Sequence, residues 1–134
     1  PDRIPTHFNA SGKPDAYRSR STIWVLATVA GVVHAMLLGA AFIKPWYYNI
    51  PIKVTETNAL SAYRITRRLL QAIRLETTVI FGMLLYLVIQ VAMGRQEGIG
   101  AWVLPGILGT VLLTIVVFVA LMVQVREKPS PTFE

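Results

Sequence analysis

Apolar residues along this chain of 134 gather into three long blocks separated by polar, turn-rich segments. The blocks run from Thr22 to Ile43, from Thr77 to Met93 and from Ala101 to Val125. Each suits a membrane-crossing helix, because about 20 helical residues cover a hydrocarbon core of roughly 30 Å. The second block is the shortest. Leu75 and its threonines extend it, since a threonine hydroxyl can bond back to a carbonyl of its own helix. Pro105 falls in the first turn of the third block, where a missing amide donor matters least. Trp24, the Trp46-Tyr47-Tyr48 cluster and Trp102 all lie at block ends, the positions that amphipathic rings favour at a membrane-water interface.

The polar stretch between the first and second blocks has helical periodicity from Thr55 to Arg74. Ala59, Ala62, Tyr63, Leu69, Leu70 and Ile73 share one face, while Arg64, Arg67, Arg68, Gln71 and Arg74 share the other. Thr55 or Thr57 is placed to cap its start. The pattern predicts an amphipathic helix on the inner leaflet or beneath the bundle, with Arg64, Arg67, Arg68 and Arg74 in reach of lipid phosphates. A plain connecting helix with a solvated basic face has the same pattern. Within the first block Ala27, Gly31, Ala35 and Gly39 recur at every fourth position, as Gly106, Thr110 and Thr114 do in the third. Small-residue faces let helix backbones approach closely in lipid, and these two are placed to pack on each other or to receive a different subunit. The expected fold is an all-α integral membrane bundle in a single domain, residues 1–134. It comprises a polar loop at 1–21, three transmembrane helices, a cytoplasmic amphipathic helix at 55–74 and a tail at 126–134.

Composition and charge orient that bundle. Apolar residues make up 54% of the chain and charged ones 15%, against roughly 25% in a soluble domain. The formal charge of +6 points to anionic membrane lipids rather than nucleic acid, because the basic residues lie between apolar blocks. With no cysteine, disulfides, thiolate catalysis and cysteine-held metals are excluded. Lys44, Lys53, Arg64, Arg67, Arg68 and Arg74 precede the second block, and Arg126 and Lys128 follow the third. The other side carries Arg3, Lys13, Arg18, Arg20 and Arg95. The richer side is cytoplasmic by the positive-inside rule, which sends residues 1–21 outward and the C-terminus inward. An outward opening segment needs an earlier span or a translocated N-terminus, and the absent start methionine favours the former, a fourth helix expected ahead of Pro1.

That opening segment holds Asp2, His7, Asn9 and Asp15 among Pro5, Gly12 and Pro14. Their spacing matches no metal-ligand pattern, so no metal site is expected. Asparagine and aspartate here read as turn formers accepting from nearby amides, with Gly12 free to take a positive φ. No nucleophile stands with a base, no carboxylates are paired, and no glycine loop is built to cradle phosphate, so the chain reads as non-enzymatic.

The stretch IPTHFNASGKPDAYRSRS, through Pro5, His7, Phe8, Asn9, Gly12 and Asp15, resembles the signature of the DUF1648 family. These are bacterial membrane proteins of unknown function related to the SdpI-type immunity proteins. NIPIKVTETNALSAYRITRRLLQAIRLE resembles the cytoplasmic segment of short single-domain members, and VAMGRQEGIGAWVLP resembles their second outward turn. The resemblance implies a four-helix unit in the bacterial inner membrane, its signature loop facing outward after a first helix. SdpI-type proteins protect cells against a peptide toxin and hold a repressor at the membrane, with helices additional to this unit.

His34 lies near the middle of the first block, where ionisable residues are rare. With Ala30 it forms the Ala-x-x-x-His pattern by which light-harvesting helices ligate bacteriochlorophyll, the small residue leaving room for a macrocycle. The alternative is a neutral histidine bonded to a threonine, glutamine or carbonyl of a neighbouring helix, for instance near Tyr86 or Gln90. No cofactor is required apart from that chlorin or haem. Two functions remain: a protein that binds or senses a peptide, lipid or envelope partner through its outer loop, or an accessory structural subunit of a respiratory or photosynthetic complex.

Overall fold

The computed structural model describes residues 1–126; the tail beyond them, with Lys128, lies outside the described residues. It opens with strands β1 (Arg3–Phe8) and β2 (Pro14–Ser19), then a 3-10 turn at Arg20–Thr22 leading into α1 (Ile23–Ala40). A second 3-10 turn (Pro45–Tyr47) interrupts the following connection, and α2 (Ala59–Ala92) and α3 (Val103–Arg126) complete the described chain. The molecule is mostly helical. Three of its helices are long and apolar enough to cross a membrane.

The extensive helix-helix contacts all involve α2, with α1 on one side and α3 on the other. Half-buried residues recur along α1 at Ile23, Leu26, Ala30, Val33, Leu37 and Ala40, a three-four spacing that keeps one seam toward α2. On α3 the seam is Val103, Ile107, Val111, Thr114 and Phe118, ending at the buried Met122. The outer faces of α1 and α3, among them Val25, Val29, Met36, Leu112 and Val116, are exposed and apolar, as a lipid-facing surface requires.

Several expectations change. Residues 1–21 are not a loop: β1 and β2 form an antiparallel hairpin, so a small sheet joins the helices. The amphipathic stretch and the second block are one helix, because nothing in Leu75-Glu76 breaks it and the threonines return their hydroxyls to it. Thr66 donates to the Ala62 carbonyl, Thr77 to Ile73 and Thr78 to Arg74. At about 1.5 Å per residue this helix is roughly 50 Å long. The small-residue faces of α1 and α3 do not meet: Gly31, Ala35, Gly39 and Gly106 are exposed. A methyl built on Gly31, Gly39 or Gly106 would touch nothing within 4 Å. Geometry gives the reason, since a strict every-fourth repeat rotates by about 40° per step around a helix of 3.6 residues per turn. Ala27 therefore lies half-buried near the seam while its successors turn away from it.

Neither Thr55 nor Thr57 occupies the cap position of α2, which belongs to Asn58. The Asn58 side chain turns backward instead of capping: its Oδ1 accepts from the Thr55 N–H at 2.8 Å and its Nδ2 donates to the Lys53 carbonyl at 3.1 Å. In the connection before it, the Lys44 ammonium stands 5.1 Å over the Trp46 ring, a cation-π contact at the foot of α1.

The hairpin sits on the end of α2. Ile4 and Pro5 are buried, as are Val88 and Val91 of α2, and Ile4 lines a small pocket with Ile23, Val88 and Ala92. Its tip is tied elsewhere: the Ile99 N–H donates to the Gly12 carbonyl at 2.9 Å, joining the hairpin to the α2-α3 connection. Both sides of that junction are glycine. A Cβ on Gly12 would strike the Gly100 backbone, and one on Gly98 would strike the Gly12 carbonyl oxygen. Gly12 also has φ of +74°, a conformation that costs other residues roughly 1–2 kcal/mol.

These contacts predict that Gly98→Ala undocks the hairpin tip, and that Gly12→Ala does so more severely because it adds left-handed strain. Amide exchange through residues 3–19 is expected to accelerate in both, corresponding to a loss of roughly 1–3 kcal/mol. Gly82→Ala, whose added methyl meets nothing within 4 Å, is expected to exchange like the wild type.

Candidate functional site

Residues Phe8 to Pro14 make the hairpin turn. The Gly12 N–H donates to the Asn9 carbonyl at 2.8 Å and the Asn9 N–H to the Lys13 carbonyl at 2.9 Å. This is a tight turn over Ala10 and Ser11 closed by a left-handed glycine, the usual three-residue hairpin connection. The Asn9 side chain holds it from within. Its Oδ1 accepts from the Ser11 N–H at 3.0 Å, the Ser11 hydroxyl at 2.7 Å and the Lys13 N–H at 3.1 Å.

Beyond the turn the strand register is irregular. Pro5 faces Tyr17, His7 faces Ala16 and Phe8 faces Pro14, with shifts on both sides of His7. Bulges re-aim side chains. Here they bring His7 beside Asp15: its Nδ1 lies 2.5 Å from Oδ1 of the carboxylate, which can only accept, so Nδ1 is the donor. Both side chains are exposed. Asp2 is not part of this pair, and its carbonyl accepts from the Arg20 N–H at the open end of the hairpin. Among the described residues no three carboxylates or imidazoles stand close enough to hold a metal ion.

The expected loop residues thus divide by role. Pro5 is buried against the helices and Phe8 is half-buried beside them, Asn9 and Gly12 shape the turn, and His7 and Asp15 form the polar pair on the surface. Residues 1–31 match the model of the family "Domain of unknown function (DUF1648)". No curated protein and no solved structure matches the chain. The DUF1648 match spans the whole hairpin and ends within α1, so the Gly98-Ile99-Gly100 segment on which the hairpin rests lies outside it.

His34 also lies beyond the DUF1648 match. It bonds a neighbouring helix, but to Thr78 rather than near Tyr86 or Gln90: its Nδ1 is 3.0 Å from the Thr78 hydroxyl, because α1 and α2 run antiparallel with Ile23 level with Val88. The Thr78 hydroxyl spends its one hydrogen on the Arg74 carbonyl at 2.8 Å, so Nδ1 of His34 is the donor, and Nε2 takes no part in this contact. Ala30, Thr77 and Phe81 line the same small space.

Arg64, Arg67 and Arg68 are exposed on the first turns of α2, and Arg74 is half-buried. Glu76 escaped the sequence reading. It lines an apolar groove between α2 and α3, and its signal was its place: between Leu75 and Met93 it is the sole charged residue.

The turn uses only the Asn9 oxygen, so Asn9→Asp is expected to keep the hairpin closed while Asn9→Ala opens it, at a cost of about 1–3 kcal/mol. Hydrogen exchange at the Ser11 and Lys13 amides reports the difference directly.

Proposed function

We propose that this chain is a non-enzymatic, multi-pass, SdpI-related protein of the bacterial inner membrane that binds an envelope partner through its outward-facing hairpin. The observation that carries the reading is the state of β2, exposed along nearly its whole length on a hairpin anchored at both ends. An exposed edge strand presents unpaired N–H and carbonyl groups, the surface to which an extended peptide adds as a further strand. An extended peptide is therefore the partner that this geometry favours over a lipid. The His7-Asp15 pair supplies a polar handle beside that edge. On the opposite side Arg64, Arg67 and Arg68 meet lipid phosphates and hold the inner end of α2 at the membrane surface.

A photo-cross-linker at Tyr17, on the exposed strand, is the direct test in intact cells. The expected result is a peptide adduct, identified by mass spectrometry, that falls about tenfold in His7→Ala and persists in Trp24→Phe. An adduct of equal yield in all three proteins, or none, overturns the reading.

A second reading rests on α1. Its outward face carries Gly31, Ala35 and Gly39 with no partner within the described residues, and His34 offers Nε2 beside them. This supports an accessory subunit of a larger respiratory or photosynthetic complex, its imidazole ligating a chlorin or haem. Mild-detergent purification of the native protein is then expected to yield stoichiometric partners and a Soret or near-infrared band that His34→Leu abolishes. A colourless protein running alone removes this reading.

A further inference from the structure

The groove between α2 and α3 has a volume of about 650 Å³ and is lined by Leu75, Glu76, Val79, Met83, Trp102 and Gly106, among others. Glu76 is the odd member. It stands within two residues of Thr78, hence level with His34 near the middle of α1, and has no hydrogen-bond or ion-pair partner among the described residues. A carboxylate at membrane depth is costly unless something neutralises it, and such residues turn inward to pair or to line a pathway. His34 is not that partner, because its bond to Thr78 lies on the α1 side of α2.

Across the groove Thr110 offers a complement. Its hydroxyl donates to the Ile107 carbonyl at 3.0 Å, leaving its oxygen free to accept. Apart from the indole N–H of Trp102 at its end, the groove offers a carboxylate and a hydroxyl oxygen, both acceptors, amid apolar walls. Gly106 leaves the wall open, since a methyl there would meet nothing within 4 Å. The volume falls within the ~300–1,000 Å³ of small-ligand pockets.

We propose that this groove binds an amphiphilic primary amine, its ammonium held by Glu76 and Thr110 and its apolar body lying along Leu75, Val79 and Met83. A primary ammonium has three donors and no acceptor, the complement of what the groove presents. A phospholipid headgroup fits poorly, because no lysine or arginine lines the groove to meet its phosphate. Trp102, largely exposed at the end of the groove, suits the interfacial position where an amphiphile would enter. This site is separate from the hairpin.

The test uses the full chain in neutral maltoside detergent at pH 7, with Trp24→Phe and Trp46→Phe so that Trp102 is the fluorescent reporter. Dodecylamine and dodecanol are the probes, identical in chain and differing in charge. Dodecylamine is expected to bind about tenfold or more tightly than dodecanol, the worth of a charge-assisted hydrogen bond. Glu76→Gln, which keeps the shape, is expected to equalise the two, and Gly106→Leu to block both. Thr110→Val is expected to weaken the amine alone and serves where Glu76→Gln fails to fold. Equal binding of both probes by the wild type overturns the proposal, as does a preference for the amine that survives Glu76→Gln and Thr110→Val.

Discussion

In hydrocarbon, water gives no reward for bringing one apolar helix against another, so a bundle holds through close packing and a few polar contacts. Here both are concentrated on α2. One of its faces receives the three-four seam of α1 and the His34-Thr78 hydrogen bond, another receives the seam of α3, and its far end is covered by Ile4 and Pro5 of the hairpin. The length of α2 makes this possible, since a helix of roughly 50 Å exceeds a core of about 30 Å and leaves turns at either end for other partners. The arginines occupy one of those overhangs and the hairpin the other.

The hairpin is stiff for a related reason. A two-stranded sheet is marginal by itself in water. This one is held by apolar burial at its base, by the Asn9 oxygen within its turn and by a glycine-to-glycine approach at its tip. Loss of any one of these frees an end. Both anchors, the end of α2 and the α2-α3 connection, lie far along the chain from the hairpin, so the orientation of the DUF1648 segment is set by them as much as by its own residues.

The spans were legible in the sequence because a run of apolar residues has one stable solution in lipid, and the aromatic residues marked their ends. The turn was legible at Asn9 and Gly12, where residue type dictates backbone conformation. The strands were not. Pro5 and Pro14 within them, the buried neighbours Ile4 and Pro5, and the bulges around His7 all obscure the alternation by which a strand is recognised. The junction was equally silent, since Gly98 serves there for close approach to Gly12, a contact that no local turn pattern announces. The small-residue stripe misled for the opposite reason: its period was real, but the seam of α1 follows a three-four spacing and leaves the stripe behind.

Glu76 of α2 and His34 of α1, which meets α2 at Thr78, show how one helix treats polarity differently on its two sides. His34 is satisfied locally: its Nδ1 donates to the Thr78 hydroxyl and that hydroxyl donates to the Arg74 carbonyl, so the chain of bonds closes within the protein. Glu76 has no such chain among the described residues. Its neighbours across the groove include a glycine and a hydroxyl whose hydrogen is already committed, so beside Glu76 the polar atoms are acceptors, and the one further donor, the Trp102 indole N–H, belongs to the end of the groove. Two acceptors cannot satisfy each other, whereas one donor-rich cation satisfies both. The composition of this groove therefore specifies its complement more narrowly than the hairpin does, since the edge strand of the hairpin would accept many extended backbones while the groove favours a single charge on an apolar stem.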